Sequence, residues 1–284
     1  MRFLISSLTF LSLVCPAISM AQNAEPPLVP GARPTGQKPA ITTQDHLDVE
    51  DGGAHGSILE SIVVPPKAKA PFTLILETTW VRLLGDGGNI TTANKRKIAR
   101  DADGRIYMER WWLAPPNHPE QSEMTTIQIS DPVAHTHINC FMMDPKKQCQ
   151  MSTFEASTDT VYDFFGPNGK GRTANKIVGE IGDTEWIDLG KQYMAGVDTL
   201  GRKVISHFNP GAFGNERMMT IEREFWYSPK LGFNMVSKRS DPRYGSQTFT
   251  VTNLVLADPD PQLFELPEGF ALKDNRKTAP PENQ

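Results

Sequence analysis

The sequence predicts a mainly β protein built on an antiparallel sheet, with short helices at most. The first observation is that apolar and polar residues alternate along one run after another, the pattern of half-buried strands. The second is that Pro, Gly and Asp separate these runs. The third is that most connections are too short for crossover helices, so neighbouring strands must be antiparallel.

The N-terminus predicts export. A positive start, an apolar run over residues 3–14 that is too short to span a bilayer, and the small residues that follow it suit a signal peptide. We predict a signal peptide over residues 1–21, cleaved near Ala21, and a periplasmic or secreted mature chain. A lipid anchor on Cys15 is the disfavoured alternative, because Val14 stands where a lipobox has Gly, Ala or Ser. No later segment predicts a transmembrane span.

Composition divides the rest of the chain. Residues 22–66 are rich in Pro and predict a flexible leader with a possible short helix. Residues 67–274 form the predicted antiparallel β domain, and residues 275–284 a disordered tail. With 38% apolar and 22% charged residues, the composition is that of a folded protein. A net charge of −4 argues against nucleic-acid binding.

The β domain begins with a meander of strand patterns. Turns rich in Gly or Pro separate the first four, and a hairpin between two cysteines follows. A weaker stretch over residues 155–183 precedes the next group. The strands predicted up to this point are residues 72–83, 90–100, 105–113, 124–130, 135–142, 148–153, 184–190, 196–201 and 202–208.

The last three strand patterns alternate most clearly. The turns between them, at residues 228–232 and 241–245, each have Pro at the second position and Gly at the last. In each strand the apolar side chains share one parity, so one face of the sheet is predicted to be buried. The predicted core-facing residues are Met219, Ile221, Phe225, Tyr227, Phe233, Met235, Phe249, Val251 and Val255.

Cys140 and Cys149 predict a structural disulfide. An Asp-Pro turn lies between them, and a loop over residues 143–146 would place them directly opposite each other across a hairpin. Such a bridge agrees with an exported compartment. The alternative is a redox or metal-binding pair, but the spacing is not Cys-x-x-Cys, and once Cys15 leaves with the signal peptide no further thiol remains to complete a site.

Consecutive aromatic residues predict that both faces of the sheet carry apolar surface that must be covered. Trp111-Trp112 and Phe225-Trp226 lie on predicted strands, so each pair places a ring on both faces. A helix or loop of the chain, an envelope protein, or an apolar ligand such as a small molecule, a lipid or a lipoprotein segment would cover the second face. The predicted ligand-binding residues are Trp80, Met108, Trp112, Phe225 and Met235.

Basic residues concentrate on two neighbouring strands and their turn. We interpret them as a solvated face that discourages edge pairing, with contact to anionic headgroups or envelope polymers as the alternative. The residues are Lys95, Arg96, Lys97, Arg100, Arg105 and Arg110.

No residue pattern predicts catalysis or a cofactor. His135 and His137 are predicted to share one strand face, which makes them weak metal candidates, but no third ligand is nominated. Glu222 and Glu224 also share a face, as acidic residues on exposed sheets commonly do. The glycine-rich run at residues 166–173 lacks the strand and helix that a phosphate-binding loop requires.

Several motifs resemble a large family of uncharacterised exported bacterial proteins. The motifs lie at residues 99–105, 130–135, 211–217, 225–229, 239–245 and 258–269. The ending Leu-Phe-x-x-Pro-x-Gly is more distantly similar to the periplasmic lipoprotein-carrier superfamily. That resemblance implies that the predicted sheet is a single curved antiparallel sheet or half-barrel around an apolar cavity, with short helices or loops covering its concave face. The uncharacterised family implies no catalytic residues.

Three functional hypotheses follow. The leading one is a non-catalytic envelope protein that binds an apolar ligand or a lipoprotein segment within a curved β-sheet. The alternative is a protein-interaction or sensor module of the envelope without a ligand cavity. The third is a metal-dependent enzyme that uses His135 and His137.

Overall fold

The computed structural model describes residues 62–154, 175–176 and 181–276. Strands dominate this part of the chain, with two 3-10 helices, Pro119–Gln121 and Pro261–Phe264. The predicted signal peptide, most of the leader with its possible helix, the glycine-rich run and nearly all of the tail lie outside the described residues. Within the described ranges, no helix is long and apolar enough to cross a membrane.

The described strands form one sheet. Its order is β13-β6-β5-β4-β3-β2-β1-β12-β11-β10-β9-β8-β7, and every pair is antiparallel except β13 with β6. The two end strands do not pair with each other, so the sheet is open. The predicted fold class, a mainly antiparallel open sheet of the half-barrel kind, is confirmed. The strands are β1 (Phe72–Leu83), β2 (Asn89–Arg100), β3 (Ile106–Trp111), β4 (Met124–Asp131), β5 (Thr136–Phe141), β6 (Gln148–Thr153), β7 (Asn175–Lys176), β8 (Gly182–Met194), β9 (Val197–Phe208), β10 (Met219–Ser228), β11 (Phe233–Asp241), β12 (Gly245–Val255) and β13 (Ala271–Asp274).

One face of the central strands, which we call the inner face, carries the main core. Side chains alternate along β1 so that Phe72, Leu74 and Leu76 are buried while their neighbours are half exposed. β11 alternates in the same way, and β12 does so as far as Val251. The chain before β1 and the turn before β11 pack over this face. The buried cluster contains Ile62, Val64, Phe72, Leu74, Leu76, Ile98, Ile106, Val197, Leu231, Phe233, Met235, Phe249 and Val251.

The core changes sides across β2 and β3. Ala99 on β2 already points to the outer face and Ile106 on β3 still belongs to the main core, but on β4 and β5 the buried apolar side chains point to the outer face. The segment after β12 covers that surface with Leu263, Phe264 and Phe270. Arg105 lies with its guanidinium 4.6 Å from the centroid of the Phe264 ring and fastens this segment to the sheet. The two halves of the sheet therefore bury opposite faces.

The disulfide prediction is confirmed. Cys140 and Cys149 are bonded, and they lie directly opposite each other on β5 and β6 with their Cα atoms 4.1 Å apart. Both are buried in the outer-face cluster. The bridge ties β6 to the sheet at a side where the next strand is the short parallel β13.

Two predictions about the strands are wrong. The patterns at 196–201 and 202–208 are one strand, β9, because the turn falls at Ala195 and Gly196, where φ is positive. Gly201 does not lie in a turn. It is required by packing, since a Cβ at this position would lie 2.6 Å from the Trp226 ring. Val255 is exposed, because β12 is irregular near its end, where Asn253 has a φ of 48°.

Candidate functional site

A row of side chains crosses the inner face from β1 to β8, and we call it the inner-face band. Strand register creates it, since directly opposed residues of an antiparallel sheet share a face. The pairs Trp80 with Gln247, Gln247 with Arg239, Arg239 with Arg223, Arg223 with Val204, and Val204 with Trp186 link six strands. The band thus has a tryptophan at each end and two arginines between them.

The first end of the band is anchored at Trp80. Its ring is buried, and its indole Nε1 donates a hydrogen bond of 2.7 Å to the carbonyl oxygen of Tyr244. The guanidinium of Arg82 lies 4.7 Å from the ring centroid. Trp80 is therefore held in one orientation by the turn between β11 and β12.

The other end of the band belongs to a second apolar cluster on β8 to β10. Val204, Phe225 and Tyr227 are buried there, and Trp186 packs against them while remaining half exposed. This cluster is separate from the main core. Half-exposed aromatic surface beside buried apolar side chains is the composition typical of a ligand-binding wall.

A buried carboxylate organises the arginines. Asp241 accepts hydrogen bonds from Arg239 at 3.0 Å and from the Arg243 side chain at 3.0 and 2.9 Å, and also from the Arg243 backbone N–H. Burial by itself raises the pKa of Asp241, but these hydrogen bonds outweigh it and lower the pKa to about 2. Asp241 therefore stays ionised and fixes Arg239 beside Arg223.

The depressed pKa of Asp241 predicts an acid-sensitive step in stability. Because the folded pKa lies below the unfolded value, ionised Asp241 contributes about 1–2 kcal/mol at neutral pH. This contribution is present above pH 3.8 and is lost as the pH falls toward about 2. Urea unfolding as a function of pH measures it. The Asp241→Asn variant should lose less stability over that window, and an equal loss in both proteins would contradict the assignment.

The structure places the predicted ligand-binding residues in three settings. Trp80 and Phe225 lie in or beside the inner-face band. Met235 is part of the main core, and Met108 packs against that core. Trp112 follows β3, where its carbonyl oxygen accepts a hydrogen bond from Ser122 Oγ at 2.6 Å. The assignment of these five residues to ligand binding remains a prediction.

Of the six residues of the band, only Trp80 was nominated from the sequence as a ligand-binding residue. Trp186 belongs to a predicted strand but was not singled out. Arg239 shares its parity with Met235, and Arg223 shares its parity with Phe225, so alternation alone would have placed both arginines on the inner face.

The interpretation of the basic run as a solvated face is wrong for its two central arginines. Arg96 and Arg100 are 1% and 0% exposed, because they lie on the inner face of β2, which is an interior strand. Lys95 points to the outer face, where it forms an ion pair of 2.7 Å with Glu77.

The predicted pair of histidines on one strand face is also wrong. β5 begins at Thr136, and His135 lies in the preceding turn with a φ of 53°. His137 is on the strand, where Nδ1 lies 2.8 Å from Ser130 Oγ. Among the residues that the structure describes, no group of three or more His, Cys, Asp or Glu side chains is arranged to hold a metal.

The paired carboxylates on β10 form ion pairs on the outer face. Glu222 contacts Lys203 at 2.7 Å, and Glu224 contacts Lys238 at 2.9 Å. Burial by itself raises the pKa of Glu224, but hydrogen bonds from Lys238 and Trp226 outweigh it and lower the pKa. A carboxylate held ionised in this way is a poor general acid.

No family model matches the chain, and no curated protein matches it. Solved structures do match. The complex of MucA and MucB from Pseudomonas aeruginosa is 10% identical, with a TM-score of 0.34, over 68% of this chain and 55% of that one. A β-barrel-like protein of a domain of unknown function from Brucella abortus is 11% identical, with a TM-score of 0.34, over 69% and 100%. A LolA superfamily protein from Nitrosomonas europaea is 8% identical, with a TM-score of 0.27, over 70% and 91%.

The matches include both kinds of protein that the sequence resembles. The Brucella abortus structure belongs to a domain of unknown function, and the Nitrosomonas europaea structure to the LolA superfamily. The predicted resemblance is confirmed in this sense. The chain spans little more than half of the MucB-containing structures that it matches, at 55% and 59% of their lengths.

Proposed function

We propose that this chain is a non-catalytic protein of the cell envelope that binds an apolar ligand, or an acylated lipoprotein segment, against the inner face of its sheet. The inner-face band carries the proposal. It joins aromatic rings at Trp80 and Trp186 to guanidinium groups at Arg239 and Arg223 in one continuous row. Such a row fits an amphiphile, whose chain packs on the half-exposed ring of Trp186 while its polar end stays near half-exposed Arg223.

The apolar part of the ligand would lie on the cluster around Trp186. There the half-exposed indole continues the buried surface of Val204, Phe225 and Tyr227. Covering this surface removes apolar area from water, which favours binding by roughly 25 cal/mol for each Å². The central part of the inner face is less suited, because Met235 and Phe249 are fully buried in the main core.

The buried polar cluster around Glu109 is used for structure, which supports a binding role in place of catalysis. On the outer face, Glu109 accepts hydrogen bonds from the Tyr107 hydroxyl at 3.0 Å, from Trp111 Nε1 at 2.9 Å and from the Lys97 backbone N–H at 3.0 Å. Burial raises the pKa of Tyr107, and the charge of Glu109 raises it further. The Tyr107 hydroxyl is therefore not poised to exchange a proton near neutral pH.

Titration of delipidated protein with a dansyl-labelled fatty acid tests the proposal. The wild-type protein is expected to bind the probe with enhanced dansyl fluorescence, and Trp186→Ala is expected to bind it roughly tenfold more weakly, because about 1–2 kcal/mol of apolar contact is lost. Tyr193→Ala is the matched control, since Tyr193 is an aromatic residue on the same strand but is 69% exposed. Equal affinities for all three proteins would contradict the assignment of the site.

The second candidate function is a protein-interaction module. The filled centre of the inner face favours it, because Leu76, Met235 and Phe249 leave little room for a ligand there. If this candidate is right, delipidated wild-type protein will not bind the dansyl probe.

A further inference from the structure

We propose that three turns at one end of the sheet form an apolar rim that inserts into the surface of a lipid bilayer. The turns connect β1 to β2, β9 to β10, and β11 to β12. In the sheet these strands are neighbours in the order β2-β1-β12-β11-β10-β9, so the three turns lie side by side at one end. The inference does not require that the inner face binds a ligand.

The rim is defined by large apolar side chains that are exposed to solvent. Leu83 is 76% exposed and Met218 is 63% exposed, although each adjoins a buried or half-buried strand. Large exposed apolar side chains gathered in one place mark an interaction surface. The rim residues are Leu83, Leu84, Ile90, Phe213, Met218 and Tyr244.

Contacts between the turns hold the rim in a defined shape. The guanidinium of Arg243 lies 4.9 Å from the ring centroid of Phe213 and 5.0 Å from that of Tyr244, so it joins two of the turns. Phe213 also packs edge to face on Phe208, with 4.9 Å between the ring centroids. The hydrogen bond from Trp80 to the Tyr244 carbonyl attaches the rim to β1. Inserting a preformed rim costs little conformational entropy.

The rim fits a bilayer better than a protein partner. Its apolar residues lie in separate turns or at the strand ends beside them, whereas a binding hot spot between proteins forms in a well-packed pocket. Three exposed arginines, Arg82, Arg217 and Arg243, lie on or next to the same turns, with the exposed acids Asp86 and Glu216 and with Asp241, which pairs with Arg243. Guanidinium groups at the level of lipid phosphates, beside Leu and Phe side chains that enter the acyl region, are the usual elements of interfacial binding.

Sedimentation of the protein with vesicles of phosphatidylethanolamine and phosphatidylglycerol tests the proposal. The wild-type protein is expected to sediment with the vesicles. The double variant Leu83→Ser, Met218→Ser is expected to bind at least about tenfold more weakly, because two apolar side chains no longer enter the bilayer. The matched control is Val133→Ser, Tyr193→Ser, which changes two exposed apolar residues at the opposite end of the sheet and should bind within about twofold of wild type.

Thermal unfolding checks that the variants are folded, and Leu84→Ser is the second variant should the double variant unfold. Wild-type protein that stays in solution with these vesicles would overturn the proposal. Equal losses in the rim variant and the control would also overturn it. So would a rim variant that binds vesicles normally but loses self-association in gel filtration, since the rim would then contact a second copy of the chain.

Discussion

Replacement of Arg100 by methionine is expected to lower the free energy of unfolding by about 3–5 kcal/mol. The Arg100 side chain is fully buried, and its guanidinium donates hydrogen bonds to three carbonyl oxygens: Ala70 at 3.0 Å, Pro65 at 2.8 Å and Leu231 at 2.9 Å. These carbonyls belong to the chain before β1 and to the turn before β11. Arg100 therefore fastens both segments over the inner face, and its loss leaves three buried acceptors without their donor.

The charge of Arg100 is retained throughout the neutral range, because burial lowers its pKa only to about 10. Urea unfolding at neutral pH measures the effect. The matched control is Lys95→Met, which removes an exposed basic side chain from the same strand and is expected to cost less than about 1 kcal/mol. Similar losses in the two variants would show that Arg100 does not have the bridging role described here.

Gly245→Ala is expected to cost about 3 kcal/mol or more, because two independent penalties coincide at this residue. Gly245 has a φ of 87°, which L side chains rarely adopt. A Cβ added there would also overlap the carbonyl oxygen of Val81 on the neighbouring strand. The turn or β1 would have to move, and the pairing of β1 with β12 would weaken.

Gly196→Ala separates the two penalties. Gly196 has the same φ of 87°, but an added Cβ meets nothing within 4 Å. This variant should lose only the conformational part, about 1 kcal/mol. Thermal and urea unfolding of both variants give the comparison. Equal losses would mean that the close approach of β12 to β1 is not a constraint on the fold.

Much of the sheet was predictable because it depends on local patterns. β1 and β6 have the predicted bounds, and Cys140 and Cys149 face each other as the hairpin geometry requires. The parities of β10 and β11 placed Phe225 and Met235 on the buried face. Alternation and turn residues carry this information within a few positions of the chain.

The site was less predictable because burial depends on distant segments. Arg96 and Arg100 look like surface residues in the sequence, and only the order of the strands shows that β2 lies inside the sheet. The side on which β4 and β5 are buried is set by the segment that carries Phe264, more than 100 residues later in the chain. His135 lies outside β5 because of the backbone conformation of the turn that precedes this strand.

Mass spectrometry of organic extracts from protein purified without detergent tests the central claim most directly. The binding proposal predicts an acyl-containing species at about one per chain in wild-type protein, and a clear loss of that species from Trp186→Ala while Tyr193→Ala retains it. An empty wild-type protein that also fails to bind an added fatty acid after delipidation would contradict ligand binding on the inner face.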